Sequence, residues 1–152
     1  MTDILKLVHV VAVIVWVGGA FMLGLVFERA QRSKDEGTVL GLAKIAEFVG
    51  KAVFNPAGII TLVAGIWLVI EVDAIEFSDA WISLGFLGVF LGAGLGMAVY
   101  PKLLRRIQAG IADDGLLGNE TLGALRTMRL VSSLEWLFLI IVVWAMVVKP
   151  GA

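Results

Sequence analysis

Four long apolar runs dominate the chain. They cover about residues 4–27, 57–72, 80–100 and 130–148, the last reading "LVSSLEWLFLIIVVWAMVV". A helix needs about 20 apolar residues to cross roughly 30 Å of hydrocarbon, and a backbone deprived of water must bond to itself. The pattern therefore predicts an all-α protein, a four-transmembrane-helix bundle forming a single integral membrane domain over residues 1–152. The opening "MTDILK" carries Asp3 and only one cation, Lys6, and the apolar stretch behind it continues to Phe27. The first run is thus expected to be a retained span and not a cleaved signal peptide.

The polar positions between the runs are also patterned. "TVLGLAKIAEFVGKAVF", residues 38–54, places Lys44, Glu47 and Lys51 on one helical face and Leu42, Ile45, Ala46, Val49 and Val53 on the other. Glu47 and Lys51 form an i,i+4 pair. This predicts an amphipathic cytoplasmic helix before span two, either lying at the membrane interface or extending the span. The Asn55–Pro56 step is expected to kink or break it. Between spans three and four, Asp113, Asp114, Gly115 and Asn119 read as turns, and "NETL" is expected to cap a short helix leading into span four.

Charge sets an orientation. Arg29, Arg32, Lys34, Lys44 and Lys51 lie between spans one and two, and Lys102, Arg105, Arg106, Arg126 and Arg129 between spans three and four. The opposite side has only Lys6 and Lys149, with the acidic loop of Glu71, Asp73, Glu76 and Asp79. Cations collect on cytoplasmic loops, so the chain is expected to lie N-out and C-out in the bacterial inner membrane. Trp81, Trp144 and Tyr100 sit at span ends and suit an interfacial aromatic belt. Composition agrees: 60% of residues are hydrophobic and 16% charged, against about 45–50% and about 25% in soluble domains. The net charge of −1 gives no field to attract nucleic acid, and the lack of cysteine excludes disulfides, Fe–S clusters and thiol nucleophiles.

Span three carries Gly88, Gly92 and Gly96 at intervals of four, with Gly85 before them. Such a strip lets helices approach closely. It serves packing inside one chain or a homodimer seam, and the pattern alone fits both.

Intramembrane ionisable groups are functional candidates because burying charge in lipid is costly. The single histidine, His9, lies roughly 7–8 Å along the helix from the outer end of span one. Antiparallel counting brings Trp67, Glu71, Ser83, Trp144 and Met146 to its depth. Imidazole is a common metal and haem-iron ligand, with thioether sulfur as a second axial ligand. A haem or metal site on His9, with Met146 as second ligand, stands against a plain hydrogen bond from His9 to Glu71, Ser83 or a backbone carbonyl. Glu135, near the inner end of span four, is too far from His9 in depth to pair with it. It is expected to pair with Arg129 or the Arg105–Arg106 step, a proton-relay role being the alternative. One histidine and no cysteine cannot build an ordinary zinc site. No phosphate loop is present, and a Ser83–His9–Glu71 triad has no motif behind it.

"LKLVHVVAVIVWVGGAFML", "NPAGIITLVAGIWLV", "AWISLGF" and "YPKLLRRI" resemble the spans of an uncharacterised bacterial family of predicted four-span integral membrane proteins, over most of the chain. A more distant resemblance is to the four-helix membrane protoporphyrinogen oxidase and the copper-resistance D-type membrane proteins. These share a first-span histidine followed by small residues. In the oxidase family that histidine is associated with haem b, which implies haem ligation by His9. The oxidase also uses a lysine early in its third span, and "WISLGFLG", residues 81–88, has none. The resemblance therefore implies the haem ligand without the oxidase activity. The leading expectation is a haem b-binding membrane protein. The alternative is a cofactor-free structural, accessory or transport-associated one.

Overall fold

The computed structural model describes residues 2–73 and 76–150. The chain is all-helical there, with four helices long and apolar enough to cross a membrane: α1 (Thr2–Ser33), α2 (Glu36–Glu71), α3 (Ala80–Asp114) and α4 (Asn119–Val148). At about 1.5 Å per residue, a helix the length of α2 or α3 reaches roughly 50 Å, about 20 Å more than the hydrocarbon core. The surplus of α1–α3 lies at the Lys/Arg-rich end. Successive helices run antiparallel and pack as neighbours, and α1 closes on α4 through its C-terminal half.

Residues 38–54 are not a separate interfacial helix. They extend span two, and the Asn55–Pro56 step bends the hydrogen-bond ladder without breaking the helix. A wide π turn, Gly50–Phe54, ends two residues before Pro56, and a second, Leu95–Val99, ends two residues before Pro101. Proline lacks the N–H that the residue four back would receive, and its ring crowds that carbonyl. A widened turn just ahead of it relieves the conflict. A third π turn, Ile14–Gly18, carries Trp16.

The buried stripe of the extension also differs from the expected one. Val39, Ala43 and Ala46 face inward, whereas Ile45 and Val53 are exposed. The Glu47–Lys51 pair forms at 2.8 Å, and Arg105 approaches Glu47 at 3.9 Å. Val39, Ala43 and Ala46 join Phe27, Leu104, Ile107, Ile111, Leu125 and their neighbours in one core at the cation-rich end of the bundle. The "NETL" cap is not made: Asn119 is the first residue of an unbroken 30-residue helix, and Gly118 precedes it without a side-chain cap.

Two tight turns close this end. Asp35 caps α2, its carboxylate accepting from the Thr38 amide at 2.8 Å and from the Thr38 hydroxyl. Gly115 ends α3 at φ +78°, where a side chain would be strained. Glu36 Oε1 accepts from the Leu116 amide at 2.8 Å and ties the two turns together. Across the spans, large side chains such as Phe90, Leu137, Ile140 and Val147 point outward, as a lipid-solvated bundle requires.

Candidate functional site

The spans are registered by large side chains in glycine notches. On α1, His9 and Trp16 are seven residues apart. On α2, Gly65 faces His9 and Gly58 faces Trp16, seven apart in the opposite direction. The glycine strip of α3 is likewise occupied within the chain. Gly85 receives the Met146 methyl, Gly88 receives Val142, Gly92 receives the Trp16 ring, and Gly96 faces the Asn55 side chain. A second copy docking on this strip would have to displace those groups.

This packing leaves two cavities, one above the other, that share Trp16, Leu62 and Val89 as a common wall. The one nearer Lys6 and Lys149, termed the outer cavity after the orientation expected from the sequence, has about 440 Å³ and is lined almost wholly by apolar groups of all four helices. His9 and Met146 both line it. Nδ1 of His9 lies 2.9 Å from the Thr61 carbonyl. A carbonyl only accepts, so Nδ1 carries the proton, and in a neutral ring Nε2 keeps its lone pair. Gly65 permits the approach, since a Cβ there would stand 3.1 Å from His9 Cε1.

Two more residues of the same cavity wall carry a buried polar atom without a partner. The Thr61 hydroxyl and the Trp81 indole N–H are both buried and unbonded, each residue being 5% exposed. Lys6 and Lys149 line the cavity too, the Lys149 ammonium 5.1 Å from the centre of the Trp81 ring.

Several expected neighbours lie elsewhere. Glu71 accepts from the Trp67 indole at 3.3 Å on the exposed side of α2, and Ser83 is exposed. Neither lines the cavity of His9, because the glycine notches and not the span ends set the register. Trp81 is buried instead of sitting in a belt, while Trp144 is exposed as a belt residue would be.

The inner cavity, about 220 Å³, holds Glu135. Its partner is not a basic residue. Tyr100 donates its hydroxyl to Glu135 Oε2, and among the described residues Glu135 forms no ion pair. Arg129 reaches across to Gln31 instead, at 3.4 Å. One and two-thirds turns of α4 separate Arg129 from Glu135, roughly 9 Å along the axis, so each answers to a different neighbour. Tyr100 thus leaves the belt expected of it and turns inward. Nothing in the local sequence links two residues 35 apart; the antiparallel packing of α3 on α4 does.

Among the described residues no three His, Cys, Asp or Glu side chains converge as a metal-binding group. No curated protein and no solved structure matches the chain. Residues 3–150, all four helices with them, match the family described as predicted integral membrane protein, DUF2269. The chain is therefore a multi-pass member of that family of integral membrane proteins.

Proposed function

We propose that this is a protein of the bacterial cytoplasmic membrane, N-out and C-out, whose outer cavity holds a b-type haem on His9. The reading rests on one observation: the Thr61 carbonyl fixes the His9 ring through Nδ1 at the wall of an apolar cavity. A hydrogen bond on one ring nitrogen is how ligating histidines are oriented and their tautomer fixed. The residues fit the group. The cavity volume lies within the roughly 300–1,000 Å³ of small-molecule and cofactor sites. Met146 offers a thioether as second ligand, and Lys6 and Lys149 offer cations to haem carboxylates. When bound, haem would supply one-electron chemistry at iron.

The test is a reduced-minus-oxidised spectrum of protein purified from a haem-sufficient host. A Soret band that disappears in His9→Ala, and shifts in Met146→Leu, is the expected result. A folded but colourless protein would refute the assignment and leave a cofactor-free accessory or transport-associated protein.

A further inference from the structure

We propose that the inner cavity is a second binding site, for a small hydrophobic organic cation, with Glu135 as its counter-charge. The argument starts from charge balance. Glu135 lies half-buried among apolar groups, and its one hydrogen-bond partner, the Tyr100 hydroxyl, is neutral. A carboxylate at this depth is costly unless a positive charge or a bound proton offsets it. No side chain of the described residues does so, since the four ion pairs lie elsewhere.

The walls narrow the ligand further. Trp16, Phe27, Phe54, Tyr100 and Trp136 all line the cavity. Trp136 is held by Phe21, with ring centroids 4.6 Å apart, and by its seat on Gly24, so its position is fixed by packing. Aromatic faces carry negative potential and attract ammonium groups, most strongly where water is excluded. An anionic ligand would be repelled by Glu135, and a neutral one would gain no charge contact from it. A monovalent cation with an apolar body meets both the carboxylate and the rings. The volume, about 220 Å³, admits a molecule somewhat larger than the benzene that fits a cavity of roughly 150 Å³.

At the cation-rich end the cavity is lined by Glu28, Gln31 and Arg129, one anion, one neutral amide and one cation, so its polar lining is compatible with entry of a charged molecule from that side. Trp16 forms the inner wall toward the outer cavity. It is 9% exposed and seated on Gly58 and Gly92, so it separates the two sites.

Benzyltrimethylammonium, titrated into the purified protein in lipid nanodiscs, tests the proposal through tryptophan fluorescence and calorimetry. The expected result is saturable binding of the cation, and much weaker binding of its neutral carbon isostere, 2,2-dimethylpropylbenzene. Glu135→Gln should lose about tenfold to a hundredfold in affinity, the range for a lost charge-assisted contact. His9→Ala, which touches only the outer cavity, should retain binding. Carbodiimide labelling of Glu135 in the unmutated protein gives a readout free of folding effects: the cation should protect it. Equal binding of cation and isostere, unchanged affinity in Glu135→Gln, or labelling unaffected by saturating cation would each overturn the proposal.

Discussion

Replacing Ile107 by alanine tests whether the cation-rich end of the bundle is a water-driven core, in contrast to the lipid-driven packing of the spans. Ile107 is fully buried, among Val39, Leu104 and Leu125. The substitution removes three carbons. At about 0.8 kcal/mol per buried CH₂ the transfer loss is about 2.4 kcal/mol, and the residual cavity brings it to about 3 kcal/mol, inside the roughly 2–5 kcal/mol usual for such changes. Ile140→Ala is the matched control. Its side chain is 60% exposed at the middle of the apolar part of α4. Lipid tails are as apolar as the side chain removed, so its loss should stay below about 1 kcal/mol. The helix-propensity gain of a few tenths of a kcal/mol is the same at both sites and cancels in the comparison. SDS titration in mixed micelles, followed by circular dichroism, measures both. If the two variants unfold within about 0.5 kcal/mol of each other, the division into two solvation regimes is wrong.

Three further predictions follow from packing and titration. Gly65→Leu should displace the His9 ring, which a Cβ alone would approach to 3.1 Å, and abolish any Soret band while the helical circular dichroism persists. Gly110→Ala should destabilise, because its Cβ would meet the Thr121 backbone nitrogen at 3.1 Å. Gly123→Ala, with open space around it, should stabilise by up to about 1 kcal/mol through helix propensity, so thermal unfolding of the pair should move in opposite directions. The Thr38 hydroxyl and amide hold the Asp35 carboxyl below its ordinary range. A group with a lowered folded-state value stabilises above its unfolded value and loses that contribution as pH falls through the lowered one. Amide exchange over residues 37–39 should therefore accelerate, relative to its intrinsic rate, only in that acid window, and Asp35→Ala should remove the pH dependence.

Much of the architecture was legible in the chain. Four runs such as "LVSSLEWLFLIIVVWAMVV" read as helices in lipid, because a helix satisfies its own backbone hydrogen bonds there and a barrel strand would be about half as long and alternate in polarity. The i,i+4 spacing of Glu47 and Lys51 predicted a pair that forms, and the charge-free middle of each run marked the spans. His9 was legible as a residue needing a partner, and a backbone carbonyl, the partner it has, was one of those its depth allows. These are consequences of solvation and helical period, which act locally along the chain.

Tertiary structure decided what those residues meet. Counting from span ends put Glu71 and Ser83 beside His9, whereas Gly58 and Gly65 set the register and put Thr61 there. The same uniform apolar surface that identifies a span carries almost no information about its rotation or offset, since lipid solvates every face alike. A missing side chain, by contrast, is a specific shape. Notches at Gly58, Gly65, Gly85 and Gly92 select which large residue seats in them, and that selection forms both cavities and brings Tyr100 to Glu135. Length and hydropathy thus fix that the helices span, and the fit of side chain into notch fixes which polar groups share a cavity.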